Sequence, residues 1–289
     1  MITLVTGFLV TGLVAMQVGN PKPADEQSST AAGAQPIYRV SVVQRTIKAV
    51  NYGHRSRPTK VDLTGTVLVP AARGEAEVES RRGAVQIRVK VKDLPAPSTF
   101  GREYLTYVLW AITTEGRPAN LGELVLDPGN EGKLQVSSEL QSFALLVTAE
   151  PYFAVTQPSD VVVMENVIRP DTVGRIEEVN ARYELLPRGH YTYVQPSSGP
   201  DPSSEREKVS MDQYEAIAAL YQALNAIQIA RAAGADSAAA DTMNKALELY
   251  EEARQLQSSN AGSRKVVMTA RQAAQTAEDA RAITQKRSQ

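Results

Sequence analysis

The stretch 100–126, FGREYLTYVLWAITTEGRPANLGELVL, constrains the fold more than any other part of the chain. Two apolar runs, each about as long as a strand, flank the turn-like segment TTEGRP, and this pattern predicts a β-hairpin. Side chains alternate along a strand, so Tyr104, Thr106, Val108 and Trp110 share one face while Leu105, Tyr107 and Leu109 share the other. Neither face is polar. A strand apolar on both sides lies at the centre of a sheet covered twice, or beneath a second sheet. The hairpin is therefore expected to be the central element of a two-layered body.

A second hairpin is predicted at 75–91, with its turn at Arg81 and Arg82. Pairing about that turn sets Val78 opposite Val85 and Ala76 opposite Ile87, with Glu75 facing Arg88 and Glu77 facing Gln86 on the other side. Opposite charges across two strands are worth a few tenths of a kcal/mol to about 1 kcal/mol, and they serve register more than stability. Further strands are expected at 37–45, 60–70, 133–136, 142–149 and 160–167, and 172–186 reads either as added strands or as an edge extension. Short strands separated by frequent turn signals fit an antiparallel immunoglobulin-like β-sandwich.

From residue 209 the pattern changes to helix. Ile217, Leu220, Leu224 and Ile227 fall on one helical face, and Gly234 marks its end. Ala239, Met243, Ala246, Tyr250 and Ala253 form the stripe of a second helix. After a break at 258–263, Val266, Val267, Ala270, Ala273, Ala274, Ala277, Ala280 and Ile283 form a third. Alanine seams allow close approach but bury little area, so such a helix needs a partner: a helix of this chain, another copy, or a following segment. The fold class expected is multidomain, β then α: a β-sandwich at 37–193, a Pro/Ser-rich linker at 194–208, and an alanine-rich helical hairpin or coiled coil at 209–289. Ahead of these, 1–18 is apolar and uncharged and reads as a signal peptide or membrane anchor, and 19–36 reads as a flexible spacer.

Composition narrows the function. The 31 basic and 32 acidic residues nearly cancel, so the basic excess of a nucleic-acid binder is missing. With no cysteine there is no disulfide, thiolate metal site or cysteine nucleophile. His54 and His190 lie in polar loop contexts, no GxSxG elbow occurs, and no Gly-rich phosphate loop follows a strand. Glu75, Glu77 and Glu79 alternate against a basic strand and read as a solvated sheet face. No catalytic, cofactor-binding or metal-binding residue is therefore expected. Tyr104, Tyr107, Trp110, Tyr152 and Phe153 are either a carbohydrate platform or core. Tyr183, Tyr191 and Tyr193, near the linker, are the candidate contact surface.

Three segments of the β region, YLTYVLWAI at 104–112, NLGELVL at 120–126 and LLVTAEPYFAVTQPSDVVVMEN at 145–166, resemble the N-terminal region of bacterial OmpA-family envelope proteins of acidobacterial type. AIQIARAAGAD at 226–236 and KALELYEEAR at 245–254 are similar to the helical module that precedes the OmpA-like domain in those proteins. No stretch here corresponds to the peptidoglycan-gripping domain itself, so no binding residue carries over. The resemblance implies a periplasmic, outer-membrane-associated setting, and partners among envelope proteins or peptidoglycan. It also fits a chain that is one piece of a longer molecule. Together these features predict a non-enzymatic structural and interaction protein. Its sandwich docks on a partner, its helices space it or form a homo-oligomer, and only its N-terminal segment meets a membrane. The alternative is a carbohydrate- or peptidoglycan-binding module with a ligand site on the sandwich.

Overall fold

The structure, a computed structural model, describes residues 45–53, 57–81, 83–181 and 210–288. Ten antiparallel strands come first: β1 (Arg45–Asn51), β2 (Thr59–Gly65), β3 (Arg73–Arg81), β4 (Ala84–Lys92), β5 (Thr106–Thr113), β6 (Pro118–Leu124), β7 (Gly132–Ser138), β8 (Ser142–Glu150), β9 (Val162–Val167) and β10 (Arg175–Ala181). Four helices follow: α1 (Met211–Ala232), the short α2 (Ala235–Ala238), α3 (Ala240–Ser258) and α4 (Ser263–Ser288). The order is β then α, as expected. Among the described residues no helix is long and apolar enough to cross a membrane.

The strands form one continuous ladder, β6-β5-β8-β9-β2-β3-β4-β7, with the β10-β1 ribbon joined to the start of β8. The sheet curls until its two ends meet: β6 and β7 lie side by side, yet between them there is only the bridge Leu126↔Gly132. The result is nearly a barrel, slit along one seam. One edge of β8 is shared, with β1 taking its first residues and β9 its later ones. Asn166 fills the fork, accepting from the Leu145 amide at 2.9 Å and donating to the Lys48 carbonyl at 2.9 Å. Buried backbone groups left over by a ladder need such partners.

Two cores result. Inside the curled sheet lie Val61, Leu63, Val85, Ile87, Val89, Tyr107, Leu109, Leu145 and Val147. Outside β5 and β8 lie Val108, Trp110, Ile112, Ala144 and Leu146, covered by the helices. The doubly apolar strand is β5, buried on both faces, with the barrel interior on one side and the helical layer on the other. Its indole N–H, which needs a partner once buried, donates to Thr148 Oγ1 at 2.8 Å.

The helices turn small faces inward. Ala219, Ala223, Ala226 and Ala230 of α1 and Ala270, Ala273, Ala274, Ala277 and Ala280 of α4 are all buried in the outer core. The partner that the alanine helix requires is thus its own chain. Ser210 caps α1 reciprocally with Gln213, closing the first turn.

Several local expectations shift. In the 75–91 hairpin Arg81, expected in the turn, is paired with Ala84, and Gly83 stands in the turn with φ +76°. The hairpin pairs Val78 with Ile87, Ala76 with Val89, Glu75 with Lys90 and Glu77 with Arg88. The slip is two residues, so every side chain keeps its face, and Glu77 forms its ion pair with Arg88. The first described strand is Arg45–Asn51, beyond the 37–45 expected, most of which lies outside the described residues. The 60–70 strand stops at Gly65, where a Cβ would sit 1.8 Å from the Val69 carbonyl oxygen of the following turn. On α1, Ile217 is 37% exposed and the alanines take its place in the interface, because close packing against β5 and α4 selects small residues over large ones.

Candidate functional site

The segment after β8, residues 151–159, is the socket for the helices. Its backbone is met by side chains of β6 and α1. Asn120 of β6 donates to the Phe153 and Val155 carbonyls at 2.9 and 2.8 Å. Gln222 of α1 accepts from the Phe153 amide at 2.9 Å, and Asn225 donates to the Pro151 carbonyl at 3.1 Å. Asn120 reaches this side only because of a β-bulge. Leu109 pairs with Gly122 and Trp110 with Asn120, so Leu121 is the extra residue and Asn120 is turned from the interior face to the helix face.

Behind the socket is a buried ion pair, Glu278 with Arg281 one turn later on α4, 0% and 3% exposed. Both Glu278 oxygens are fully used. Oε2 accepts from the Tyr152 hydroxyl at 2.6 Å and Arg281 Nε at 2.7 Å. Oε1 accepts from the Thr156 amide, the Thr156 hydroxyl and Arg281 Nη2. Burial, with Glu278 adjacent, holds the Tyr152 hydroxyl well above the usual phenol range. A neighbouring chain runs from Trp110 through Thr148 to Glu150, whose Oε1 also accepts from the Ser159 amide at 2.7 Å. Burial pushes the Glu150 carboxyl up to about 8, and among the described residues its Oε2 has no hydrogen-bond partner.

Beside the socket the two layers part and leave a groove of about 650 Å³. Its floor is Glu123 of β6, whose carboxylate is 7% exposed. Oε1 accepts from Thr106 at 2.7 Å and Gln222 at 2.8 Å, and Oε2 is ion-paired with Arg271 of α4 at 2.5 Å. The Arg271 guanidinium lies 3.9 Å above the Phe153 ring and is 39% exposed. One wall is β6 and the 125–130 turn, and the other is Met211, Tyr214 and Ala218 of α1. Tyr214 is 58% exposed. Asp127 and Glu215 add carboxylates at the rim.

The structure places the sequence candidates as follows. Tyr104, Tyr107, Trp110 and Tyr152 are buried as core, Tyr107 also lining the groove and Tyr152 bonding Glu278, while Phe153 is partly buried beneath Arg271. Tyr183, Tyr191 and Tyr193, as well as His54 and His190, lie outside the described residues. Among the described residues no cluster of three or more acidic or histidine side chains has the arrangement of a metal site. Sequence reasoning missed Glu123, Gln222, Arg271, Glu278 and Arg281. Two of them carried a signal: Arg281 follows Ala270, Ala274 and Ala277 at spacings of four and three, and Gln222 sits among alanines of the α1 seam. Compared with known proteins, the chain matches no family model, no curated protein and no solved structure.

Proposed function

We propose that this chain is a non-enzymatic interaction module of the cell envelope, in which strands and helices act as one docking body and the groove along β6 receives the partner. The groove itself carries the reading. Both layers build it, and a cleft of this size with apolar walls and a few convergent polar groups has the form of a ligand site. Its chemistry suits holding rather than cutting. Acid–base catalysis needs a carboxyl that can exchange protons with substrate. Glu123 is committed to three donors, and Glu150 is sealed beneath the helices.

The resemblance to OmpA-family N-terminal regions supports a periplasmic, outer-membrane-associated setting, with envelope proteins or peptidoglycan as partners. We further propose that the curled sheet is a flattened, immunoglobulin-like body about its inner core, and that α1 and α4 pack as a coiled coil, which the alanine seam between them supports. A homo-oligomer through the helices is the second reading. It is favoured by Met211, Tyr214, Ile217 and Tyr221, which stand exposed on α1 although the alanine faces are consumed internally.

Co-sedimentation of the full chain with purified peptidoglycan sacculi tests the reading. Wild type is expected to pellet and Tyr214→Ala to remain largely in the supernatant. Equal sedimentation of the two would remove the groove as the docking surface.

A further inference from the structure

We infer that the groove recognises an uncharged glycan, a short run of sugar rings laid against Tyr214 with its hydroxyl groups on Arg271 and the polar floor. This rests on the docking reading above and adds the chemistry of the ligand. Three features carry it.

First, the floor is electrically cancelled. Glu123 and Arg271 form one pair, so neither offers a net charge to a ligand. The remaining charged groups at the rim, Asp127 and Glu215, are both acidic and repel anions, and they draw a cation to the rim rather than to the cancelled floor. A neutral ligand occupies the floor under neither constraint.

Second, the cancelled pair still has hydrogen-bonding capacity. Among the described residues Arg271 makes one hydrogen bond, through Nη1 to Glu123, which leaves the Nε and Nη2 donors over. The Asn130 side chain brings a donor and an acceptor to the rim, and Asp127 uses Oδ1 for the Gly129 and Glu131 amides while Oδ2 remains as an acceptor. Donors and acceptors are thus interleaved over a short distance. Hydroxyl groups, which do both at once, are the ligand groups that such a surface satisfies most fully.

Third, the walls are apolar and partly planar. Tyr214 stands in the first turn of α1 with more than half its surface in solvent, and Pro97, Val125 and Pro128 line the same groove. A large exposed aromatic beside a polar floor leaves an apolar surface uncovered, and the C–H face of a sugar ring covers it while the ring edges reach the floor.

The test is calorimetric titration of the full chain, because Trp110 is sealed in the core and its fluorescence has no contact with the groove. The probes are chitotetraose and cellotetraose as neutral glycans, tetragalacturonate as an anionic one, and a lysine-containing tetrapeptide. The expected result is binding of one or both neutral tetrasaccharides, weakened about tenfold in Tyr214→Ala, the equivalent of one lost stacking contact. Tyr214→Phe is expected to retain it. Binding of the peptide or of tetragalacturonate alone overturns the glycan assignment while sacculus binding keeps the docking reading. Saccharide binding indifferent to Tyr214→Ala overturns the placement. If neither the tetrasaccharides nor sacculi bind, both readings fall.

Discussion

The two cores of this molecule are built from different material. The inner one is aliphatic and aromatic, Leu63, Ile87, Leu109, Leu145 and their neighbours. The outer one is largely alanine, and its specificity comes from Gln222, Asn225, Asn120 and the Glu278–Arg281 pair. Large side chains supply area, roughly 25 cal/mol for each Å² removed from water. Alanines supply proximity. A seam of alanines is nearly the same at every turn, so it leaves the register of one element on another undetermined. Buried polar groups resolve that ambiguity because each has few acceptable positions. The inner core therefore holds the body together, and the outer core decides where the helices sit.

This contrast can be broken by exchanging the roles. The largest effect is expected from Glu278→Ala, which leaves Arg281 charged and buried without its counterion, at a cost of about 3–5 kcal/mol. Hydrogen exchange should show the amides of α4 losing protection while those of β3 and β4 keep theirs. A double replacement of Glu278 and Arg281 by leucine and methionine should recover only part of the stability, because packing replaces the ion pair but the Tyr152 hydroxyl and the Thr156 amide lose their acceptor. Uniform loss of protection across strands and helices after Glu278→Ala would mean that the two cores are not separable. Leu145→Ala, on the inner face, is expected to cost about 2–5 kcal/mol and to lower protection of strands and helices together, as measured by denaturant unfolding with exchange.

Stability also depends on pH through Glu150. Glu150 carries its proton in the folded protein up to about pH 8, whereas the unfolded chain loses it near 4.5. Between those values the native state binds more protons, so stability falls as pH rises through this window and levels off above it. The contribution is on the order of a few kcal/mol. In Glu150→Gln the difference in unfolding midpoint between pH 5 and pH 8 should shrink. An unchanged difference would show that some other group sets the slope.

The strands were legible where their chemistry was periodic. The alternation of Ile87, Val89 and Val91 with Arg88, Lys90 and Lys92 marks β4 and its wet face, and β5 declared itself as doubly covered. Which layer covers it was not legible, because apolar faces on strands and helices do not name their partners. The hairpin register was missed by two residues, since Glu75 meets a basic residue in either pairing, Arg88 or Lys90. The groove was missed altogether. Its parts, Glu123, Arg271 and Tyr214, are far apart in sequence, and each reads alone as an ordinary surface residue. The phase shift in β6 that aims Asn120 at the socket also leaves little trace beyond Gly122, the residue beside the bulge.

The seam between β6 and β7 has its own consequence. A cylinder whose staves are all hydrogen-bonded has its circumference dictated by strand number and stagger. Here one joint is fastened only at its lower corner, by Leu126 and Gly132, and above it Leu134 and Val136 rest against Gly122. Girth is therefore set at this joint by the bulk of leucine and valine, a softer spring than an amide ladder. Because β6 is also a wall of the groove, the width of its mouth depends on how closely those side chains pack on the glycine.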